Sequence, residues 1–130
     1  MEENITCLLI DDDPDDQEIF LIALRQAFPR SGCWCESDCV KAIEQLNQKL
    51  RPAPDYIFMD WNLPYLAGKD CIPELHKVLG YETVCIFILS GMAPHISQDK
   101  LDKLGVKKVL KKQNSISKLS DELHEAITSQ

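Results

Sequence analysis

The chain has 130 residues, 45% hydrophobic and 27% charged, which suits one compact domain spanning residues 1–130 and leaves little room for a second. Its net charge of −7 disfavours nucleic acid or an anionic membrane as a partner, since both require a basic face. The opening MEENITC has neither the basic start nor the apolar core of a signal peptide, and no apolar run approaches the ~20 residues that span a bilayer, so a cytoplasmic location is expected.

Short apolar runs alternate with stretches of helical period. Residues 5–10 read as a first strand. Asp13 then caps a helix with Pro14 at its first position and Asp15 and Asp16 in its first turn, where negative charge suits the helix dipole. Ile19, Phe20, Ala23, Leu24, Ala27 and Phe28 form its apolar stripe, and Pro29 and Gly32 mark its exit. A second strand, 33–36, leads through Ser37 and the cap Asp38 to a helix striped by Cys39, Ile43, Leu46 and Leu50. Pro52-Ala53-Pro54 ends that unit, and 56–59 make the third strand. A third helix is expected to start near 69–71, with Pro73 tolerated in its first turn and Gly80 at its end. Strand four spans 84–89. A weaker helix follows from about His95 to Leu104, closed by Gly105. Strand five is 106–110, and Ile116, Leu119, Leu123 and Ile127 stripe the last helix. Five strands alternating with five helices require a parallel sheet covered on both faces. The expected fold is a flavodoxin-like, doubly wound α/β sheet of order 2-1-3-4-5.

Six cysteines suggest no disulfide framework, because a domain of this size needs no staple. Cys7, Cys71 and Cys85 sit in apolar surroundings and read as free, buried hydrophobes. Cys33, Cys35 and Cys39 form C-x-C-x3-C, but no second pair at zinc spacing follows and His76, His95 and His124 are scattered.

In an open doubly wound sheet, functional groups gather at the carboxyl ends of the strands. There stand Asp11 and Asp12 after strand one, Asp60 after strand three, Ser90 and Gly91 after strand four, and Lys111 and Lys112 after strand five. Capping accounts for Asp13, Asp15 and Asp16 but not for Asp11 and Asp12. Adjacent carboxylates near a third repel unless a hard cation such as magnesium joins them. A calcium loop fails, because its sixth position is Asp16 where glycine is needed and its twelfth is Ile22. Asp60 alone would pass for a turn residue. With a metal, a hydroxyl and a fixed cation around it, it can attack a phosphoryl group.

These pieces resemble the receiver domain of bacterial response regulators over nearly the whole chain: LLIDDDP at 8–14, DYIFMDWNLP at 55–64 with Gly68 beyond, FILSG at 87–91 and GVKKVLKK at 105–112. The resemblance implies that Asp60 is the phosphoacceptor, and that Asp11, Asp12, Asp60 and the backbone carbonyl of Asn62 hold Mg2+. Ser90 would bind a phosphoryl oxygen and Gly91 leave access. Lys112 would be the fixed cation, chosen over Lys111 by its interval from Gly105 and by strand alternation. The donor would be a histidine kinase or histidine phosphotransfer protein. With no output domain, the signal would leave by protein–protein interaction or onward phosphotransfer. The face of the fourth helix, fifth strand and fifth helix, with Lys100, Lys103, Lys107 and Lys108, would be the partner surface.

Two residues depart from the family pattern. Gln113 stands where a cis proline usually follows the lysine, and a cis bond before a non-proline residue is costly. Val109 occupies the position of the usual aromatic switch, so the readout of phosphorylation must differ. Met92 offers no water-orienting group, which suggests slow hydrolysis of the acyl phosphate. Two other readings are a pseudo-receiver that binds a partner without phosphorylation, and a flavodoxin-like cofactor binder or phosphatase. The latter lacks a glycine-rich phosphate loop.

Overall fold

The computed structural model describes residues 4–80, 83–91 and 96–130. The expected alternation is present as β1 (Thr6–Ile10), α1 (Pro14–Ala27), β2 (Gly32–Glu36), α2 (Cys39–Asn47), β3 (Tyr56–Asp60), α3 (Gly68–Leu79), β4 (Cys85–Ser90), α4 (Gln98–Leu104), β5 (Val106–Lys111) and α5 (Ile116–Thr128). The strands form one parallel sheet in the order β2-β1-β3-β4-β5. Strand alternation divides the core in two. Leu8, Ile10, Ile57, Met59, Ile86 and Ile88 face α2, α3 and α4, whereas Cys7, Leu9, Phe58, Phe87 and Leu89 face α1 and α5. On the second face Phe58 packs between Phe20 and Phe87, with 5.0 Å between ring centroids in each pair. No helix among the described residues is long and apolar enough to cross a membrane.

Local chemistry sets the element ends as expected in most places. The Asp13 carboxylate accepts the Asp15 N–H with Pro14 at N1, and Asp38 caps α2 through the Lys41 N–H at 2.9 Å. Gly105 closes α4 at φ +76°, where a Cβ would lie 2.6 Å from the His76 ring.

Three expectations need correction. Helix α2 stops at Asn47, and Leu50 is exposed beyond it. Helix α3 begins at Gly68, so Pro73 is its sixth residue, past the first turn. The early start is possible because glycine lets the backbone pass the Trp61 ring, which a Cβ would meet at 2.8 Å. Cys71 is not a free thiol: it is bonded to Cys39. The first residue of α2 and the buried face of α3 meet on one side of the sheet, a juxtaposition that a separation of 32 residues hides from the sequence. Cys7, Cys33, Cys35 and Cys85 are free. The expected start of the fourth helix at His95, and Met92, lie outside the described residues.

Among the described residues two other than glycine, Lys49 at φ +57° and Tyr65, adopt left-handed backbone. Tyr65 adopts φ +66° with its side chain 90% exposed, so no packing compensates for a left-handed aromatic residue. Asparagine tolerates this conformation far better. Tyr65→Asn is therefore expected to raise stability by about 0.5–1 kcal/mol, read as an increased urea midpoint at constant slope. An unchanged or lower midpoint would show that the ring is held by something other than the backbone.

Candidate functional site

The carboxyl ends of β1, β3, β4 and β5 meet at one acidic hollow. Asp11 follows β1 directly and is 1% exposed. Its backbone N–H donates to the Glu36 carbonyl at 3.0 Å, and its own carbonyl accepts Gln17 Nε2 at 2.6 Å. Its Oδ1 accepts the Asp13 N–H at 2.9 Å, and its Oδ2 lies 3.2 Å from Lys112 Nζ. Asp60, the last residue of β3, is also buried. Its two oxygens are differently engaged: Oδ1 accepts the Asn62 N–H at 3.0 Å and Oδ2 accepts Lys112 Nζ at 3.0 Å. Ser90 ends β4 and is buried, and its carbonyl accepts the Lys112 N–H at 2.8 Å.

The charges are unequal. Lys112 Nζ contacts Asp11, Asp60 and Asp16, the last at 2.7 Å, while Asp12 stands exposed beside them. One ammonium thus pairs with three carboxylates, and Asp12 adds a fourth beside Asp11 and Asp60. Burial alone would lower its pKa, but the hydrogen bonds it donates to Asp16 and Asp60 and the charge of Asp11 reverse that and hold it above the usual lysine range. Asp11 shows the opposite imbalance. Burial pushes its carboxyl up to about 6, only partly countered by the Asp13 N–H and Lys112, and the Asp16 charge raises it further. Oxygens of Asp11, Asp12 and Asp60 all lie within 4.8 Å of one another. This under-neutralised set of hard oxygen donors fits a small divalent cation such as Mg2+.

The family profile of the response regulator receiver domain matches residues 7–124. The chain belongs to the response regulator receiver domain family. No curated protein sequence matches it. Solved structures share the fold at low identity. The phosphorylated cyanobacterial phytochrome response regulator RcpA is similar at 20% identity and a TM-score of 0.79, over 95% of this chain and 91% of that one. The Mn2+-bound form of response regulator Rcp1 is similar at 19% identity and 0.76, over 93% and 90%. The chemotaxis response regulator CheY4 of Vibrio cholerae is similar at 18% and 0.77, over 95% and 99%.

In this receiver the sequence-derived residues Asp11, Asp12, Asp60, Ser90 and Lys112 come together, and Lys111 does not. Lys111 is exposed at the end of β5, whereas Lys112 turns into the hollow. Asn62 is exposed and offers its N–H to Asp60. No cis peptide occurs among the described residues, so the chain passes from Lys112 to Gln113 in the trans form. Val109 packs against the α2–α4 side of the core. Asp16 was assigned to the first helical turn alone. It does more, since one turn after the strand end its carboxylate turns back to Lys112.

Proposed function

We propose that this receiver is a phosphorylation-dependent switch of a two-component or phosphorelay system in the cytoplasm, with Asp60 as the acceptor. What carries the reading is the Asp60 carboxylate, hydrogen-bonded to Lys112 at 3.0 Å and grouped with Asp11 and Asp12. The donor is a phosphohistidine on a histidine kinase or phosphotransfer protein. An Asp60 oxygen attacks phosphorus and the new P–O bond replaces the P–N bond. The released imidazole takes a proton from solvent, leaving an acyl phosphate. Lys112 faces the transferred oxygens and offsets their charge. The Ser90 hydroxyl, at the end of the neighbouring strand, donates to one of them. Asp11, Asp12, Asp60 and the Asn62 carbonyl would hold Mg2+, which when bound supplies further charge neutralisation. The phosphorylated state of RcpA and the Mn2+ in Rcp1 support both parts by likeness. Output passes through partner binding or onward transfer to histidine.

Incubation with acetyl phosphate and magnesium, followed by intact mass and peptide mapping, tests the reading. A phosphoryl adduct on the peptide containing Asp60 is expected. No adduct, with acetyl phosphate or with phosphorylated kinases, would leave an interaction module that works without phosphorylation.

The metal has its own signature. A carboxyl raised in the folded state gives stability that is present below about pH 4 and lost as pH rises through about 6. For Asp11 this makes the metal-free protein less stable near neutrality than in acid. Mg2+ needs the ionised form, so its affinity should be about tenfold weaker at pH 5 than at pH 7. Titration followed by fluorescence of Trp61, which adjoins Asp60, measures this. Equal affinity at both pH values would remove Asp11 from the metal site.

A further inference from the structure

Lys112 is held through its backbone as well as its side chain. Its N–H is fixed to the Ser90 carbonyl of β4 at 2.8 Å, and its ammonium to Asp16 of α1 at 2.7 Å. The next residue is tied to a second helix on the same face of the sheet. Gln113 Nε2 donates to Glu122 Oε1 of α5 at 3.1 Å, a bond that spans nine residues from the β5–α5 connection into the helix. Beneath these residues lies a cavity of about 20 Å³, lined in part by Asp11, Asp16, Lys112, Gln113 and Leu119 of α5. That is room for about one water.

The Glu122 partner is not a comfortable one. Its second oxygen, Oε2, is buried without a hydrogen-bond partner among the described residues. A tie serving stability alone is better made by apolar side chains of the same shape, which leave no carboxylate oxygen unsatisfied. Gln113 also lies directly beside the residue that must deliver charge to Asp60. We infer that Gln113, anchored on Glu122, is a positioning residue for phosphoryl transfer: it sets where the end of β5 presents Lys112 and couples that position to α5. The inference rests on Asp60 being the acceptor.

The test follows the rate of phosphorylation by acetyl phosphate at saturating magnesium, by Trp61 fluorescence with intact mass as a check. Gln113→Ala is expected to lower the limiting rate about tenfold, because small misplacement of a charge-stabilising group is expensive at the transition state. Magnesium affinity should be unchanged. Glu122→Ala should match it, and the double variant should be no slower than either single one, as for residues acting as a unit. Glu122→Gln keeps an accepting carbonyl and should stay within twofold of the parent. Gln113→Asn keeps the amide but shortens its reach, and should lose rate while folding normally. Rates within twofold of the parent for both Gln113 variants would overturn the inference, as would single effects that multiply in the double variant. If the parent protein takes no phosphoryl group at all, the reading of Asp60 fails, and this inference with it.

Discussion

Asp60→Asn is expected to abolish the phosphoryl adduct completely while leaving the fold intact. The amide is close in shape to the carboxylate, and its oxygen can still accept the Asn62 N–H that now reaches Oδ1, while its NH2 takes the place of the oxygen that accepts from Lys112. Lys112 keeps its contacts with Asp16 at 2.7 Å and Asp11 at 3.2 Å. Removing one negative charge from the acidic cluster relieves repulsion but also removes an acceptor of the ammonium, so the metal-free variant should stay within about 1 kcal/mol of the parent. What disappears is the nucleophile, because an amide has no charged oxygen to attack phosphorus. Magnesium affinity should fall as well, since Asp60 is one of the three carboxylates within 4.8 Å of one another. Intact mass after acetyl phosphate treatment reads the first effect, and a Trp61 titration the second. An adduct that persists in Asp60→Asn would move the acceptor elsewhere, most directly to the exposed Asp12.

Much of this site was legible in the sequence, for a physical reason. A parallel sheet has strands buried on both faces, so its strands announce themselves as apolar runs, and the residues that end those runs must stand at one edge. Asp11, Asp60, Ser90 and Lys112 are placed together on that ground by the sequence alone. Lys112 was separable from Lys111 by its interval from Gly105 in the family pattern, with strand alternation sending the two to opposite faces, and Lys111 is indeed exposed. Contacts between helices were not legible. The bond between Cys39 and Cys71 joins helices 32 residues apart, and nothing in the spacing distinguishes these two cysteines from the free Cys7 and Cys85. The turn of Asp16 toward Lys112 depends on how α1 sits against the sheet. The Gln113–Glu122 bond depends likewise on the placement of α5. Helix ends were blurred where a glycine, as at Gly68, passes close beneath an aromatic ring.

Lys112→Ala should produce the largest combined change in stability and chemistry. The side chain is 25% exposed and bridges Asp11, Asp16 and Asp60, so its loss leaves carboxylates crowded without a counter-charge. Breaking such a partly buried pairing is expected to cost about 2–3 kcal/mol in metal-free protein near neutral pH. Two conditions should shrink that cost. Millimolar Mg2+ replaces the missing positive charge, and at pH 5 Asp11, whose carboxyl already sits near 6, takes up a proton instead. Urea unfolding with and without magnesium at both pH values reads all four cases. A loss that is the same in each would mean that Lys112 contributes packing and not charge. The limiting rate of phosphorylation should meanwhile fall about a hundredfold, the scale seen when one preorganised donor to a developing negative charge is removed. Lys111→Ala is the matched control. Its side chain lies outside the hollow, so it should change stability by no more than about 0.5 kcal/mol and leave the rate untouched. If the two variants behaved alike, the selection of Lys112 as the cation facing Asp60 would fall, however short the distance between them.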